Sequence, residues 1–131
     1  MSLKGLRAAI LAGPEFEDLE LFYPYYRLKE EGIEVHVIAP EKKPYYGKHG
    51  LEVKPDKSIL EANPKDYNIL VIPGGWAPDR LRRDPRVVEF VREVALNNAI
   101  IATITSNSIN VKPLDLRSIP LSIITFLSPF K

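Results

Sequence analysis

The chain contains no cysteine, which excludes disulfide bonds, thiolate metal sites and a cysteine nucleophile. It also lacks an excess of either charge: the formal net charge is +1, and acids and bases are interspersed. This balance gives no sign of a surface for nucleic acid or anionic membranes. No apolar run approaches the roughly 20 residues of a membrane-spanning helix, and no signal-peptide pattern is present. We therefore expect a cytoplasmic protein that binds neither nucleic acid nor membranes.

The clearest motif is NILVIPGGWAPD, at residues 68–79. Its apolar run Ile69–Ile72 is typical of a strand buried on both faces, and Pro73 cannot donate to a sheet, so the strand should end there. Gly74 and Gly75 leave their backbone N–H groups uncovered by side chains. Ligands bind at the carboxyl ends of strands in open α/β sheets, so we expect any site to lie at this glycine turn.

Three further apolar runs, at residues 6–12, 33–39 and 99–104, predict strands. Helical patterns lie between them, and this alternation is typical of a parallel α/β sheet. Residues 41–50 are polar and glycine-containing, which predicts a turn or exposed hairpin tip before a short returning strand at 51–53. A length of 131 residues favours one domain.

Two helices are predicted between these strands. In the first, Leu19, Phe22 and Tyr26 recur near helical spacing, and Pro24 indicates a kinked or late-starting helix. The second begins at Asp84-Pro85, where a capping side chain precedes a proline at the first helical position. Its apolar stripe consists of Val87, Phe90, Val91, Val94 and Ala95.

The sequence changes character at residue 105. Residues 105–131 show no sustained helical or strand period, and three prolines divide them. Within them, residues 119–127 are apolar without a polar counter-face. We therefore divide the chain into an α/β domain at residues 1–104 and an atypical tail at residues 105–131.

An acidic cluster follows the first strand, at Glu15, Glu17, Asp18 and Glu20. These carboxylates should lie at the same sheet edge as the glycine turn, where crowded like charges favour an acid or base. The alternative is a solvated helix N-terminus, where acids complement the helix dipole. The residues alone leave both interpretations open.

The two histidines and the hydroxyl side chains after residue 104 give weaker signals. His36 and His49 lack partners at ligand spacing, so we predict no metal or cofactor, a buried hydrogen-bonded His36 and a surface His49. A serine nucleophile on a strand-to-helix turn requires glycines two positions to either side, whereas Ser106 lies between Ile104 and Ser108. The spacing therefore argues against a serine nucleophile.

Four segments together resemble the PfpI intracellular cysteine peptidases, in the class I glutamine amidotransferase-like superfamily. They are EFEDLELFYPYYRLKEEG (15–32), YGKHGLEVKPD (46–56), ILVIPGGWAPDRLRRDPRVVEFV (69–91) and AIIATI (99–104). The resemblance implies a flavodoxin-like, doubly wound parallel sheet whose C-terminal part is incomplete or replaced in this chain. It also implies dimers or hexamers, and peptidase, glyoxalase-like or deglycase-like reactions on peptides or small carbonyl compounds.

The resemblance implies roles for individual residues. Glu20 matches the acid beside the nucleophile, Gly75 a backbone oxyanion donor, and Asp79 an acid that orients the catalytic histidine of a neighbouring subunit. The family's nucleophile and histidine follow Ala-Thr-Ile as Cys-His-Gly-Pro. Here Thr105 and Ser106 occupy the first two of those positions, so the reacting groups are replaced.

These observations favour a PfpI-like domain that is catalytically inactive. The alternatives are a non-catalytic oligomeric or binding subunit, the product of a disrupted coding sequence, and an active hydrolase or glyoxalase-like enzyme that uses another group. We also expect a homo-oligomer with residues 45–50 near a contact, because loss of the family's last elements should leave sheet edge and apolar surface uncovered.

Overall fold

The structure is a computed structural model that describes residues 3–104. A five-stranded parallel sheet has the order β5-β2-β1-β6-β7, and β3 and β4 form a separate antiparallel hairpin. The strands are β1 (Arg7–Leu11), β2 (Glu34–Ala39), β3 (Tyr45–Tyr46), β4 (Glu52–Val53), β5 (Lys57–Ser58), β6 (Ile69–Ile72) and β7 (Ile100–Thr103). The helices are α1 (Asp18–Glu30), α2 (Ala77–Leu81) and α3 (Pro85–Leu96), and a 3₁₀ turn spans Pro64–Asp66.

The direction of chain winding reverses between the two central strands, β1 and β6. From β1 the chain passes through α1 to β2 on one side, whereas from β6 it passes through α3 to β7 on the other. Right-handed crossovers in opposite directions place the two helices on opposite faces of the sheet. This confirms the predicted flavodoxin-like, doubly wound sheet, and its switch point lies between the carboxyl ends of β1 and β6.

The centre of the sheet forms the core of the domain. Ala8, Ala9 and Ile10 of β1 and Leu70 of β6 are each 0% exposed. Strands covered on both faces have no polar side, which explains why these segments read as unbroken apolar runs rather than alternating ones. All four predicted main strands are confirmed to within two residues at each end.

The first helix begins at Asp18, upstream of Pro24, so a late start is wrong. Its buried residues are Asp18, Leu21 and Pro24, and Phe22, Tyr25 and Leu28 pack partly buried against the core. Leu19 and Tyr26, which recur with Phe22 near helical spacing, are 55% and 64% exposed. Apolar residues on both faces therefore obscure which face covers the sheet.

Helix α3 forms where its N-cap and apolar stripe predicted it. The Asp84 carboxylate accepts a hydrogen bond from the Arg86 N–H at 2.9 Å, which is the predicted N-cap. Val87, Phe90 and Val94 are buried, as the stripe predicts, while Ala95 at its C-terminal end is exposed. The five-residue helix α2 was not predicted from the sequence.

The hairpin β3–β4 confirms the predicted tip and returning strand, with Tyr45 opposite Val53.

No helix within residues 3–104 is both long enough and apolar enough to cross a bilayer. Residues 105–131, including Thr105 and Ser106, lie outside the described part of the chain. The domain division at residue 104 therefore stays a prediction.

Candidate functional site

The glycine turn is fixed to the segment that follows β1. Gly75 forms an isolated antiparallel bridge with Phe16. The Glu17 N–H donates to the Gly74 carbonyl at 3.0 Å, and the Trp76 N–H donates to the Glu15 carbonyl at 2.9 Å. The backbones that leave the two central strands are therefore joined at the switch point of the sheet.

Position 75 requires glycine for two reasons. Its φ of +86° lies in a region that side-chained residues rarely adopt. A Cβ there would also meet the Glu15 carbonyl oxygen and the Glu17 nitrogen, each at 2.6 Å. The bridge is closed by hydrogen bonds of the flanking residues, and within residues 3–104 the Gly75 N–H donates no hydrogen bond. A backbone N–H without a partner in the described residues is chemically able to donate to a developing oxyanion.

Glu20, in the first turn of α1, reaches the neighbouring glycine. Its Oε2 accepts a hydrogen bond from the Gly74 N–H at 2.7 Å, and the residue is partly buried. A Cβ at Gly74 would lie 2.5 Å from this oxygen and 2.8 Å from the Ile104 carbonyl oxygen. The absence of a side chain at position 74 therefore lets α1 and the end of β7 approach the same turn.

The end of β7 lies at this turn because the sheet ladder continues beyond the strand. The Ile104 N–H donates to the Ile72 carbonyl at 3.1 Å, so the last described residue is anchored beside β6. Ile104 is the residue immediately before Thr105. The chain consequently leaves the described domain next to Gly74 and Glu20.

Asp79 lies on α2, and its carboxylate is paired within its own helix region. It accepts a hydrogen bond from Arg83 at 2.7 Å and lies 3.7 Å from the Arg82 guanidinium. About half of the Asp79 side chain is exposed, and it lines the same cavity as Gly74 and Gly75. The structure therefore brings Glu20 into contact with Gly74, next to Gly75, and Asp79 lines the same cavity as both glycines.

The acidic cluster agrees in part with the helix N-terminus interpretation, because Asp18 and Glu20 lie in the first turn of α1, where acids complement the helix dipole. Three of its members also have specific cationic or backbone partners. Glu15 pairs with Arg80 at 3.3 Å, and Glu17 lies 3.4 Å from the Lys48 ammonium. Asp18 is only 2% exposed. Glu17 and Asp18 thus lie close together beside the hairpin tip, whereas Glu15 and Glu20 have other partners, Arg80 and the Gly74 N–H.

Asp18 has a structural role that sequence reasoning missed. Its two oxygens accept hydrogen bonds from the backbone N–H groups of His49 at 2.8 Å and Leu51 at 2.9 Å. A Cβ at Gly47 would clash with the same carboxylate, so glycine is needed where the hairpin tip crosses α1. The glycines in YYGKHG were the available signal, but they do not identify their distant partner.

Glu17, Asp18 and His49 also offer atoms within 4.8 Å of one another, as metal ligands would. Both Asp18 oxygens already accept backbone hydrogen bonds. The Lys48 ammonium lies beside Glu17, where it would repel a bound cation. This cluster is therefore suited to holding the hairpin tip rather than a metal ion.

His36 belongs to a separate hydrogen-bonded group. Its Nδ1 lies 2.8 Å from the Tyr67 hydroxyl, and its Nε2 lies 2.8 Å from a Glu34 oxygen. Burial raises the pKa of Tyr67 to about 12, so this phenol stays protonated at neutral pH. The predicted hydrogen bonding of His36 is confirmed, but the residue is partly rather than fully buried. His49 is exposed as predicted.

Comparison with known sequences gives consistent matches. The model of the DJ-1/PfpI family matches residues 6–110. A protein of Pyrococcus furiosus named Deglycase PfpI is 46% identical over 99 residues, which are 76% of this chain and 60% of that protein. A deglycase of Pyrococcus horikoshii is 41% identical over the same shares of the two chains. This chain therefore spans 60% of the length of these two relatives.

Solved structures match the same part of the chain. A two-domain protein of Anabaena variabilis, with DJ-1/ThiJ/PfpI-like and ferritin-like domains, aligns with a TM-score of 0.73 and 37% identity. The alignment covers 75% of this chain and 29% of that protein. A DJ-1 superfamily protein of Agrobacterium tumefaciens aligns with a TM-score of 0.65 and 26% identity, over 75% and 52% of the two chains.

Proposed function

Since the chain belongs to the DJ-1/PfpI family, we propose that it retains the oxyanion-donor part of the family's site and carries out no cysteine-dependent peptidase or deglycase reaction. The observation that carries this proposal is the combination of a Gly75 N–H that donates no hydrogen bond within residues 3–104 with a chain that has no cysteine. The turn offers a donor for a developing oxyanion. It offers no thiolate to form the covalent bond.

The groups around the turn support this proposal. A threonine or serine hydroxyl needs an adjacent base, because its own pKa leaves almost no alkoxide at neutral pH. The Glu20 carboxylate binds the Gly74 N–H, and the Asp79 carboxylate pairs with Arg83. His36 is bonded to Tyr67 and Glu34 in the β2 region. In residues 3–104, therefore, these acids and this histidine are already committed to other partners.

Turnover assays with the unaltered chain test this proposal. The substrates are peptides, glycated amines and 2-oxoaldehydes, which cover the activities that the resemblance and the relatives' names suggest. We expect no turnover above a background that binding and an oxyanion donor alone provide. Turnover that disappears in Thr105→Ala or Ser106→Ala, with the fold retained, would overturn the proposal and favour an enzyme that uses another nucleophile.

A second candidate function is that of a non-catalytic subunit of a homo-oligomer. It is favoured by an exposed apolar surface on α1 and the hairpin, with Leu19, Tyr26, Tyr46 and Leu51 each about half exposed or more. Exposed apolar patches of this kind are typical of interfaces. Tyr46 and the tip lie within the segment 45–50 that we expected near a contact.

Light scattering at micromolar concentration tests this second candidate. We expect an oligomer that dissociates in a Tyr26→Lys/Tyr46→Lys variant, because each lysine would bury a charge in the contact. Glu61→Lys, in an exposed turn after β5, is the matched control and should leave the mass unchanged. A monomeric parent chain would contradict this assembly without affecting the proposal about catalysis.

A further inference from the structure

An apolar groove lies beside β7, at the carboxyl end of the sheet. It encloses about 490 Å³. Its lining is mostly apolar and includes Ile72, Leu81, Val87, Val91 and Ile104, together with Trp76 and Val88. Asp79 and Arg82 contribute charged groups to the same lining. Trp76 is 63% exposed and Val88 is 48% exposed. Burial of an apolar surface of this kind against other apolar groups is energetically favourable.

The strand next to this groove has one unpaired edge within the described residues. In the order β5-β2-β1-β6-β7, β7 is the last strand. The N–H groups of Ile100 and Ile104 donate to Asn68 and Ile72 on the β6 side. Because alternate residues point their backbone groups to opposite sides of a strand, the N–H groups of Ile101 and Thr103 face away from the sheet. Groove and free edge therefore adjoin one another.

We propose that residues 119–127 of the same chain, IPLSIITFL, occupy this groove. The segment contains six apolar side chains of the sizes found in cores and no charged residue. It therefore matches the apolar walls of the groove and introduces no charge that would have to be desolvated.

The attachment point of the segment favours this occupant. The chain leaves the described domain at Ile104, which itself lines the groove. A connection of about 15 residues with random-coil dimensions spans roughly 20 Å, enough to bring residue 119 back to its origin. Covalent attachment over such a length gives an effective concentration on the order of millimolar. A second copy of the chain at micromolar concentration would therefore compete poorly with the attached segment for the groove.

Gly75 and Asp79 line the same cavity as the apolar residues. The docking proposal nevertheless does not depend on the proposed function, because it rests on the apolar lining and not on the Gly75 N–H.

The cysteine-free chain permits a direct crosslinking test. Val88→Cys is combined with Ile123→Cys in one variant and with Ile124→Cys in another, and both are oxidised with diamide. We expect an intramolecular disulfide in at least one variant, formed at a rate that does not change on tenfold dilution. Glu61→Cys with Ile123→Cys is the matched control, because Glu61 follows the opposite edge strand β5, and it should form no such bond. A disulfide-linked dimer would identify a second copy as the occupant, and no bridge in either variant would also overturn the proposal.

The single tryptophan provides a second measurement that needs no cysteine. We expect Trp76 in the unaltered chain to be shielded from acrylamide, with a several-fold increase in quenching in Ile123→Ser/Ile124→Ser/Phe126→Ser. The control, Val111→Ser/Leu114→Ser/Leu116→Ser, removes similar apolar groups outside the proposed segment and should retain the shielding. Equal quenching in the parent and the first variant, with unchanged circular dichroism, would contradict the proposal.

Discussion

The Glu20 carboxylate accepts a hydrogen bond from the Gly74 N–H at 2.7 Å. This contact joins residues 54 positions apart in sequence and connects the first turn of α1 to the loop after β6. It stands at the switch point of the sheet, where doubly wound folds bind their ligands. The Gly74 N–H is thereby occupied, whereas the adjacent Gly75, whose N–H donates no hydrogen bond within residues 3–104, lines the cavity.

The loss of stability on replacing Glu20 should therefore depend on whether the new side chain can still accept the hydrogen bond from the Gly74 N–H. A hydrogen bond to a charged group contributes about 1.5–3 kcal/mol when shielded, and the partial exposure of Glu20 reduces that range. We expect Glu20→Leu to lower the free energy of unfolding by about 1–2 kcal/mol, and Glu20→Gln by less, since the amide oxygen still accepts the bond. Urea denaturation measures the difference. Equal losses in the two variants would show that the hydrogen bond contributes little.

Gly75→Ala should be far more destabilising than Gly50→Ala. Both glycines have positive φ, +86° and +91°, so both substitutions strain the backbone by about 1–2 kcal/mol. A Cβ at Gly75 also meets backbone atoms at 2.6 Å, whereas a Cβ at Gly50 meets nothing within 4 Å. We expect the decrease in the free energy of unfolding to be at least twice as large for Gly75→Ala as for Gly50→Ala, or Gly75→Ala to fail to fold. Comparable thermal midpoints of the two variants would show that the bridge between Gly75 and Phe16 adjusts to a Cβ at little cost in free energy.

Asp18 should control the order of the hairpin tip. Asp18→Asn keeps one acceptor oxygen but turns an amide N–H₂ toward the other backbone donor, which leaves a buried donor unsatisfied at a cost of about 1–3 kcal/mol. We expect faster tryptic cleavage after Lys48 in this variant than in the parent chain. Glu17→Gln is the control, since it weakens only the partly exposed contact with Lys48 and should change stability by about 1 kcal/mol or less. Unchanged cleavage in Asp18→Asn would contradict the assigned role.

Tyr67 should make the protein less stable at high pH. Its pKa is raised by burial to about 12, against about 10 in an unfolded chain. Between these values the unfolded state has released the phenolic proton and the folded state still holds it, so the free energy of unfolding falls as pH rises.

The variant Tyr67→Phe isolates this effect from other groups that titrate in the same range. At neutral pH it should be about 1 kcal/mol less stable than the parent, because the hydrogen bond with His36 is lost. We expect this advantage of the parent to shrink and then reverse between about pH 10 and pH 12. Unfolding curves of both proteins at several pH values measure the difference. A constant difference would show that Tyr67 ionises normally in the folded state.

The sequence predicted those parts of the fold that are encoded locally. The buried strands appear as apolar runs, and Asp84-Pro85 contains its own cap and first helical residue. The buried face of α1 could not be identified from the sequence, because Leu19, Phe22 and Tyr26 share helical spacing although Leu19 and Tyr26 are exposed and Phe22 packs against the core.

The candidate site depended more strongly on contacts between distant residues. The glycine turn was recognisable from Pro73 and the two glycines that follow it. Strand order placed the acidic cluster at the same sheet edge as this turn, but neither that inference nor the family resemblance identified Glu20 as the partner of Gly74. The hydrogen bonds of Asp18 with the hairpin tip had no signal in α1 itself. Each of these contacts is created when the sheet brings separate loops to one edge, so no local pattern specifies them.

Steady-state turnover of a glycated amine tests the central claim most directly. The unaltered chain is compared with a family member that carries Cys-His at the positions of Thr105 and Ser106. When catalytic groups that act as a unit are removed, about 10³–10⁴-fold acceleration over water remains from binding and the oxyanion donor. We predict that the chain shows no more than this remainder, and that Thr105→Ala leaves the rate unchanged. A rate comparable to that of the cysteine-containing relative would contradict the account.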